Sequence, residues 1–215
     1  MKAAVLSLIL MAVSHFGFTS EPGLATVEEV LAVVGTTPIL ASDIELAALV
    51  AILEPEPEEP AAAYRSRLLD ARIRLELQFR DLEESGLLFR LEVDSARARD
   101  VLTGRGGGPE ALAPRLAAAG LSWPDLEELA LRVAAADAFV EQRLRARVSV
   151  SLEEIEAAYE ELLVSEIAAS DEPPPPLTAV RDRLATLLTE RKLNLEIERW
   201  LARAAARQEV TRFSR

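Results

Sequence analysis

Apolar residues fall into two periods along this chain: a run of β-favouring residues near the beginning, then helical spacing over most of the rest. Val30, Leu31, Val33 and Val34 form the run, Gly35-Thr36-Thr37-Pro38 supplies turn chemistry, and Ile39-Leu40 reads as a second short strand. Ser42-Asp43-Ile44-Glu45 has the spacing of a capping box, which predicts a helix from Asp43 to about Leu53. The polar segment Glu54 to Pro60 (EPEPEEP) interrupts it, because proline neither donates a backbone hydrogen bond nor lets its predecessor stay helical. A long helix follows from Pro60 or Ala61 to Ser85, with Leu68, Leu69, Ile73, Leu75, Leu77, Phe79 and Leu82 on a broad apolar face and Gly86 as its C-cap.

Further helices are predicted near Asp94–Leu102, before the GRGGGP loop (Gly104 to Pro109), and over Pro109–Ala119, capped by Gly120. Ser122 opens one of about 25 residues, with Pro124 in its first turn and Leu126, Leu129, Val133, Ala136, Val140 and Leu144 along one side. After a link at Val148–Val150, the box Ser151-Leu152-Glu153-Glu154 starts a helix carrying Ile155, Tyr159, Leu162 and Leu163. The last helix has Val180, Leu184, Leu187, Leu188, Leu195, Ile197 and Leu201 as its apolar side, with Trp200 as an anchor, and Glu209 to Phe213 ends the chain as a strand. β signals thus occur only at the two extremities. A pairing of Val30–Val34 with Glu209–Phe213 would account for that, at the cost of slow closure of a very long loop.

Composition narrows the chemistry. Lys2 followed by an apolar run from Ala3 to Val13 has the layout of a cleavable signal peptide, with cleavage after Ala25 or near Ser20. That run is shorter than the ~20 residues a membrane span needs. There is no cysteine, and the one histidine, His15, lies inside the expected signal. The remaining chain therefore lacks the parts for Ser-His-Asp or Cys-His nucleophiles and for the usual zinc sites. A formal charge of −12 disfavours nucleic-acid binding. The acidic groups Glu54, Glu56, Glu58, Glu59, Glu153, Glu154, Glu160 and Glu161 read as solvated linker residues and helix N-terminal acids rather than catalytic pairs. The GRGGGP loop has no phosphate-cradle context.

Three stretches carry a family likeness. Ala32-Val33-Val34, Gly35 to Pro38, Ile39-Leu40 and Ser42-Asp43-Ile44 resemble the opening of the SurA-like periplasmic chaperones. Leu68 to Leu87 is similar to the family's long helix ending in glycine, and Gly120 to Glu161 to its second long helix, V-S-V-S link and following helix. The segment Thr178 to Val210 resembles the helix and strand that close the family's core. In larger relatives a parvulin-type prolyl isomerase domain of about 100 residues stands between these halves. Here only Ser165 to Pro176 (SEIAASDEPPPP) occupies the position, its four prolines spanning roughly 12 Å as a polyproline spacer.

The resemblance implies a mainly α fold: a helical SurA-type core with a small sheet made by the N- and C-terminal strands. It divides the chain into a signal peptide (1–25), an N-terminal chaperone core (26–164), a Pro-rich linker (165–176) and a closing helix and strand (177–215). It also implies a periplasmic, ATP-independent holdase that is not an enzyme, needs no cofactor or metal, and binds unfolded envelope or outer-membrane proteins through apolar grooves, with no nucleic acid and no stable membrane insertion. Ile52, Leu53, Leu88, Phe89, Trp123 and Phe139 are the candidate groove residues. Two alternatives stand beside this reading: an adaptor for one secreted partner, and a degenerate prolyl isomerase.

Overall fold

The computed structural model describes residues 28–167 and 175–213, without the side chains of 162–167. The expected signal peptide, most of the Pro-rich linker, and the side chains of Leu162 and Leu163 lie outside that description. Among the described residues the order is β1 (Val30–Val34), β2 (Thr37–Leu40), α1 (Ala41–Leu49), α2 (Ala61–Glu84), α3 (Ser95–Arg105), α4 (Pro109–Ala118), α5 (Trp123–Phe139), α6 (Leu152–Ile167), α7 (Leu177–Arg207) and β3 (Val210–Arg212). The fold is mainly α with one small sheet, as the periodicities imply.

The three strands are antiparallel in the order β2-β1-β3. Val34 stands opposite Thr37 in the hairpin and opposite Val210 across the other edge. Gly35 donates to the Glu209 carbonyl at 2.8 Å, and Phe213 donates to the Leu31 carbonyl at 2.9 Å, so the ladder extends one residue past each end of β3. The two extremities of the described chain are therefore joined. Gly35 makes this possible: its φ of +59° suits glycine, and a Cβ there would fall 2.5 Å from the Gln208 side chain.

Helix limits follow local chemistry closely, with one shift of register. α1 begins at Ala41, and its cap is the Leu40 N–H donating to Asp43 Oδ2 at 2.8 Å. The acid in the third helical position is thus Asp43 rather than Glu45, because β2 runs directly into the helix and leaves Ser42 inside the first turn. Its end is also earlier than the apolar pattern implies. Ala51 adopts φ +47°, Ala51 N–H donates to the Ala48 carbonyl, and Ile52 N–H reaches back to Ala47 at 2.9 Å. This is a Schellman termination with alanine where glycine is usual. The box at Ser151 forms as expected, with Ser151 N–H donating to Glu154 Oε2 and Glu154 N–H donating to Ser151 Oγ.

The 25-residue helix expected from Ser122 is present in length but not in kind. The α-helical hydrogen bonding of α5 stops at Phe139, a π-helical turn spans Val140–Leu144, and a 3-10 turn ends at Arg147. In α7 the buried residues are Leu184, Leu193, Trp200 and Ala204, whereas Leu187 and Leu195, assigned above to the apolar side, are exposed. α7 contacts α6, α2 and the π-helical turn on one side only, and Leu187 and Leu195 stay in solvent.

Three packed clusters form the interior. The first lies beneath the sheet, with Val34, Ile39, Ile44, Leu68, Leu77 and Ala204. A second joins α1, α3, α4 and α5 through Leu46, Val50, Leu102, Leu112 and Leu126. The third holds Phe79, Leu82, Phe139, Leu144, Leu193 and Trp200. Ile52 packs against the first two, and Leu75 against the second and third. α2 therefore runs past all three and organises the molecule.

Candidate functional site

Two apolar clefts open on the helical surface. The smaller, about 230 Å³, lies between α1 and α2, floored by Ile44, Ala48 and Leu68 and edged by Tyr64, Glu45 and Arg65. Tyr64 sits on the first turn of α2, and its hydroxyl donates to the Leu53 carbonyl at 2.8 Å, pinning the connecting loop against the cleft rim. Arg67 ties the same loop down, donating to the Glu54 carbonyl at 2.7 Å and pairing with Glu59 at 2.9 Å. Ile52 and Leu53 are half-buried beneath this loop, Ile52 as the apolar residue that closes the α1 termination.

The second cleft, about 500 Å³, lies where α3 and the glycine loop meet the starts of α4 and α5. Trp123, 36% exposed, forms one wall with Gly108 and Pro109 opposite. The indole is placed by the cap of α5, where Ser122 N–H and Oγ–H both donate to Asp125 Oδ2, at 2.7 and 2.6 Å. Arg99 closes the rim by pairing with Asp100 at 3.0 Å and Glu127 at 3.7 Å.

The six candidate groove residues do not share one surface. Ile52 and Leu53 adjoin the first cleft and Trp123 lines the second. Phe89 stands out in solvent at 89% exposure on a short 3-10 turn, while its neighbour Leu88 packs on the third cluster. Phe139 is 8% exposed and lies against Trp200, ring centroids 4.4 Å apart, so it belongs to the interior and presents no groove surface. Its aromatic character is the same whether it faces a groove or a core, and only tertiary packing separates the two.

A third cleft, about 290 Å³, is bounded by β2, α1, α2 and α5 and is polar on its walls. Glu76, 2% exposed, accepts from Arg132 Nε at 2.8 Å, and Arg132 also pairs with Glu128 at 3.0 Å while lying 4.9 Å above the Phe79 ring. Burial works to lower the Arg132 pKa, but the Glu76 hydrogen bond and the charges of Glu76 and Glu128 outweigh it and hold the guanidinium above its ordinary value. Arg72, 6% exposed, meets Asp43 at 3.3 Å through Nη2. None of these charged residues stands out in the apolar pattern. A signal was present nonetheless: Leu68, Arg72, Glu76 and Phe79 follow one another at spacings of four, four and three, one helix face, so two charges lie within a face that must be buried.

Chemically, the first two clefts offer apolar walls with a few hydrogen-bonding edges, which suits noncovalent contact with aliphatic and aromatic side chains. No helix among the described residues is long and apolar enough to cross a membrane. Comparison with known proteins finds no family model that matches the chain and no curated protein that matches it.

Proposed function

We propose that this chain is an ATP-independent periplasmic holdase of SurA-like type that shields unfolded envelope or outer-membrane proteins. The observation that carries the reading is the union of the first and last described strands in one sheet beside a helical body whose surface clefts are apolar. Such clefts fit weak, sequence-tolerant capture of exposed side chains, because apolar burial scales with area and carries little directional demand. Weak capture also permits release without an energy source.

The test is suppression of aggregation. Several unrelated unfolded proteins, including an outer-membrane β-barrel protein diluted from urea, would be followed by light scattering with and without the purified chain. Delayed scattering for most clients at near-stoichiometric amounts supports the reading. Protection of one client alone would replace it with a dedicated adaptor, and acceleration of cis/trans exchange in a proline reporter peptide would contradict a chaperone-only role. At the sites, Tyr64→Ala and Trp123→Ala are each expected to reduce protection severalfold.

A further inference from the structure

The two outer edges of the sheet differ. The Gly35–Glu209 and Leu31–Phe213 bonds fix the parity of β3: Glu209, Thr211 and Phe213 turn their backbone groups to β1. By the two-residue alternation of an antiparallel ladder, the N–H and C=O groups of Val210 and Arg212 point away from it. β3 is the last strand in the sheet order, so no described strand meets them. The same parity places Pro38 and Leu40 on the outer side of β2, because Ala32 and Val34 face Ile39 and Thr37. Pro38 has no N–H to offer, and the Leu40 N–H is taken by Asp43 Oδ2 at 2.8 Å. One edge is thus closed to further pairing, by a proline and a capped donor, while the other keeps its donors.

Side chains decide what fits the open edge. Ala32 and Val34 are buried, and Arg212 and Val210 stand opposite them, with Arg212 reaching Asp70 of α2 at 2.6 Å. Thr211 and Phe213 therefore lie on the other face, where both are exposed, Phe213 at 53%. A strand added beside β3 would set every second side chain next to Thr211 and Phe213, where an apolar residue gains cross-strand contact. A second copy of the chain fits poorly. The three residues of β3 offer an edge of only ~10 Å, far short of the ~1,000 Å² that a stable interface buries, and two bodies of formal charge −12 repel.

We infer that β3 captures an extended segment of an unfolded chain as a fourth, antiparallel strand, bonded to the outward groups of Val210 and Arg212 and carrying apolar residues at alternate positions beside Phe213. The inference rests on the holdase reading and deepens it. Strands of outer-membrane barrels alternate in this way, and main-chain bonds tolerate many sequences, so the edge recognises extended shape while the clefts supply apolar contact. The short edge keeps capture weak and reversible.

The test uses the isotopically labelled full-length protein and a blocked nine-residue peptide in which valine alternates with glutamine. Binding is expected to shift the amides of Val210 and Arg212. With the valines beside Phe213, the glutamine N–H groups face β3, so N-methylation of the glutamines should weaken binding at least tenfold and N-methylation of the valines less than threefold. Arg212→Pro deletes one outward donor and leaves the bonds to β1; it should weaken the peptide at least tenfold while the amides of Val30 to Val34 stay protected. Arg212→Ala, which loses the ion pair but keeps the donor, should change binding less than twofold. Equal effects of the two methylation patterns, shifts confined to the clefts at Tyr64 or Trp123, or a parent that sediments as a dimer and becomes monomeric on Arg212→Pro would each overturn the inference. Aggregation suppression separates the two readings: protection with no peptide bound at β3 leaves the holdase and removes the edge site, whereas a peptide bound at β3 with no protection removes the holdase and leaves the edge site.

Discussion

Ala51 and Trp200 show what single residues decide here. Ala51 ends α1 in the left-handed region, where a Cβ is disfavoured by roughly 1–2 kcal/mol. Ala51→Gly is therefore expected to stabilise the protein by about 0.5–1 kcal/mol once glycine's greater unfolded-state freedom is subtracted, seen as a rise in the urea midpoint at unchanged slope. Trp200 works in the other direction. Its indole N–H donates to Asp81 Oδ2 at 2.9 Å, and Arg207 donates to the other oxygen of the same carboxylate at 2.6 Å, tying α7 to α2. Trp200→Phe keeps an aromatic ring against Phe139 but removes a bond to a buried charge, and should cost about 2–3 kcal/mol by denaturant melt. An unchanged midpoint would show that Asp81 finds another donor.

Elements were legible in the sequence wherever their limits are set by neighbours in the chain. The Ser151 box, the proline break before α2 and the Gly86 and Gly120 stops are local chemistry, and each stands where the pattern put it. The π-helical turn after Phe139, which packs against α7, was not legible, since Val140 to Leu144 carries no residue that marks it. Helical spacing does separate Leu193 from Leu195: two positions apart they lie about 200° apart around the axis, so α7 buries the first and exposes the second. The α6 cap also makes a pH prediction. Glu154 is hydrogen-bonded by Lys192 and by the Ser151 N–H, which hold its pKa below its ordinary value of 4.5. A depressed carboxylate stabilises the fold above its unfolded pKa and loses that contribution as pH falls through the folded one. The difference in melting temperature between the parent and Glu154→Gln should accordingly stay constant above about pH 5 and shrink below about pH 4.5. A difference that is flat down to pH 2 would mean the carboxylate gains nothing from Lys192.

On the scale of the whole molecule, the sheet is what makes one body of a long helical chain. Both strands were readable from β-favouring runs, and their pairing from the absence of such runs elsewhere; the clefts were not, because each is walled by residues from elements far apart in sequence. Arg72, Asp43 and Glu128 converge only after α1, α2 and α5 have packed. The closing strand can be tested directly. Thr211 lies in register with Val33, so Thr211→Pro removes a ladder donor between the Gly35–Glu209 and Leu31–Phe213 bonds. Amide exchange of Val30 to Val34 is expected to accelerate by at least tenfold, while the amides of α4 change little. Equal acceleration throughout would indicate a single cooperative unit with no local opening.

The hairpin of β1 and β2 is completed by β3, which is synthesised only after α1 to α7. While the chain is being made, Val30–Val34 has Thr37–Leu40 on one side and no strand on the other, so the nascent protein carries an unpaired backbone edge until Val210–Arg212 arrives. A ribosome that stalls anywhere in α7 would release a product with that edge permanently open, prone to join copies of itself. The solubility of the whole molecule would then depend on the three residues of β3.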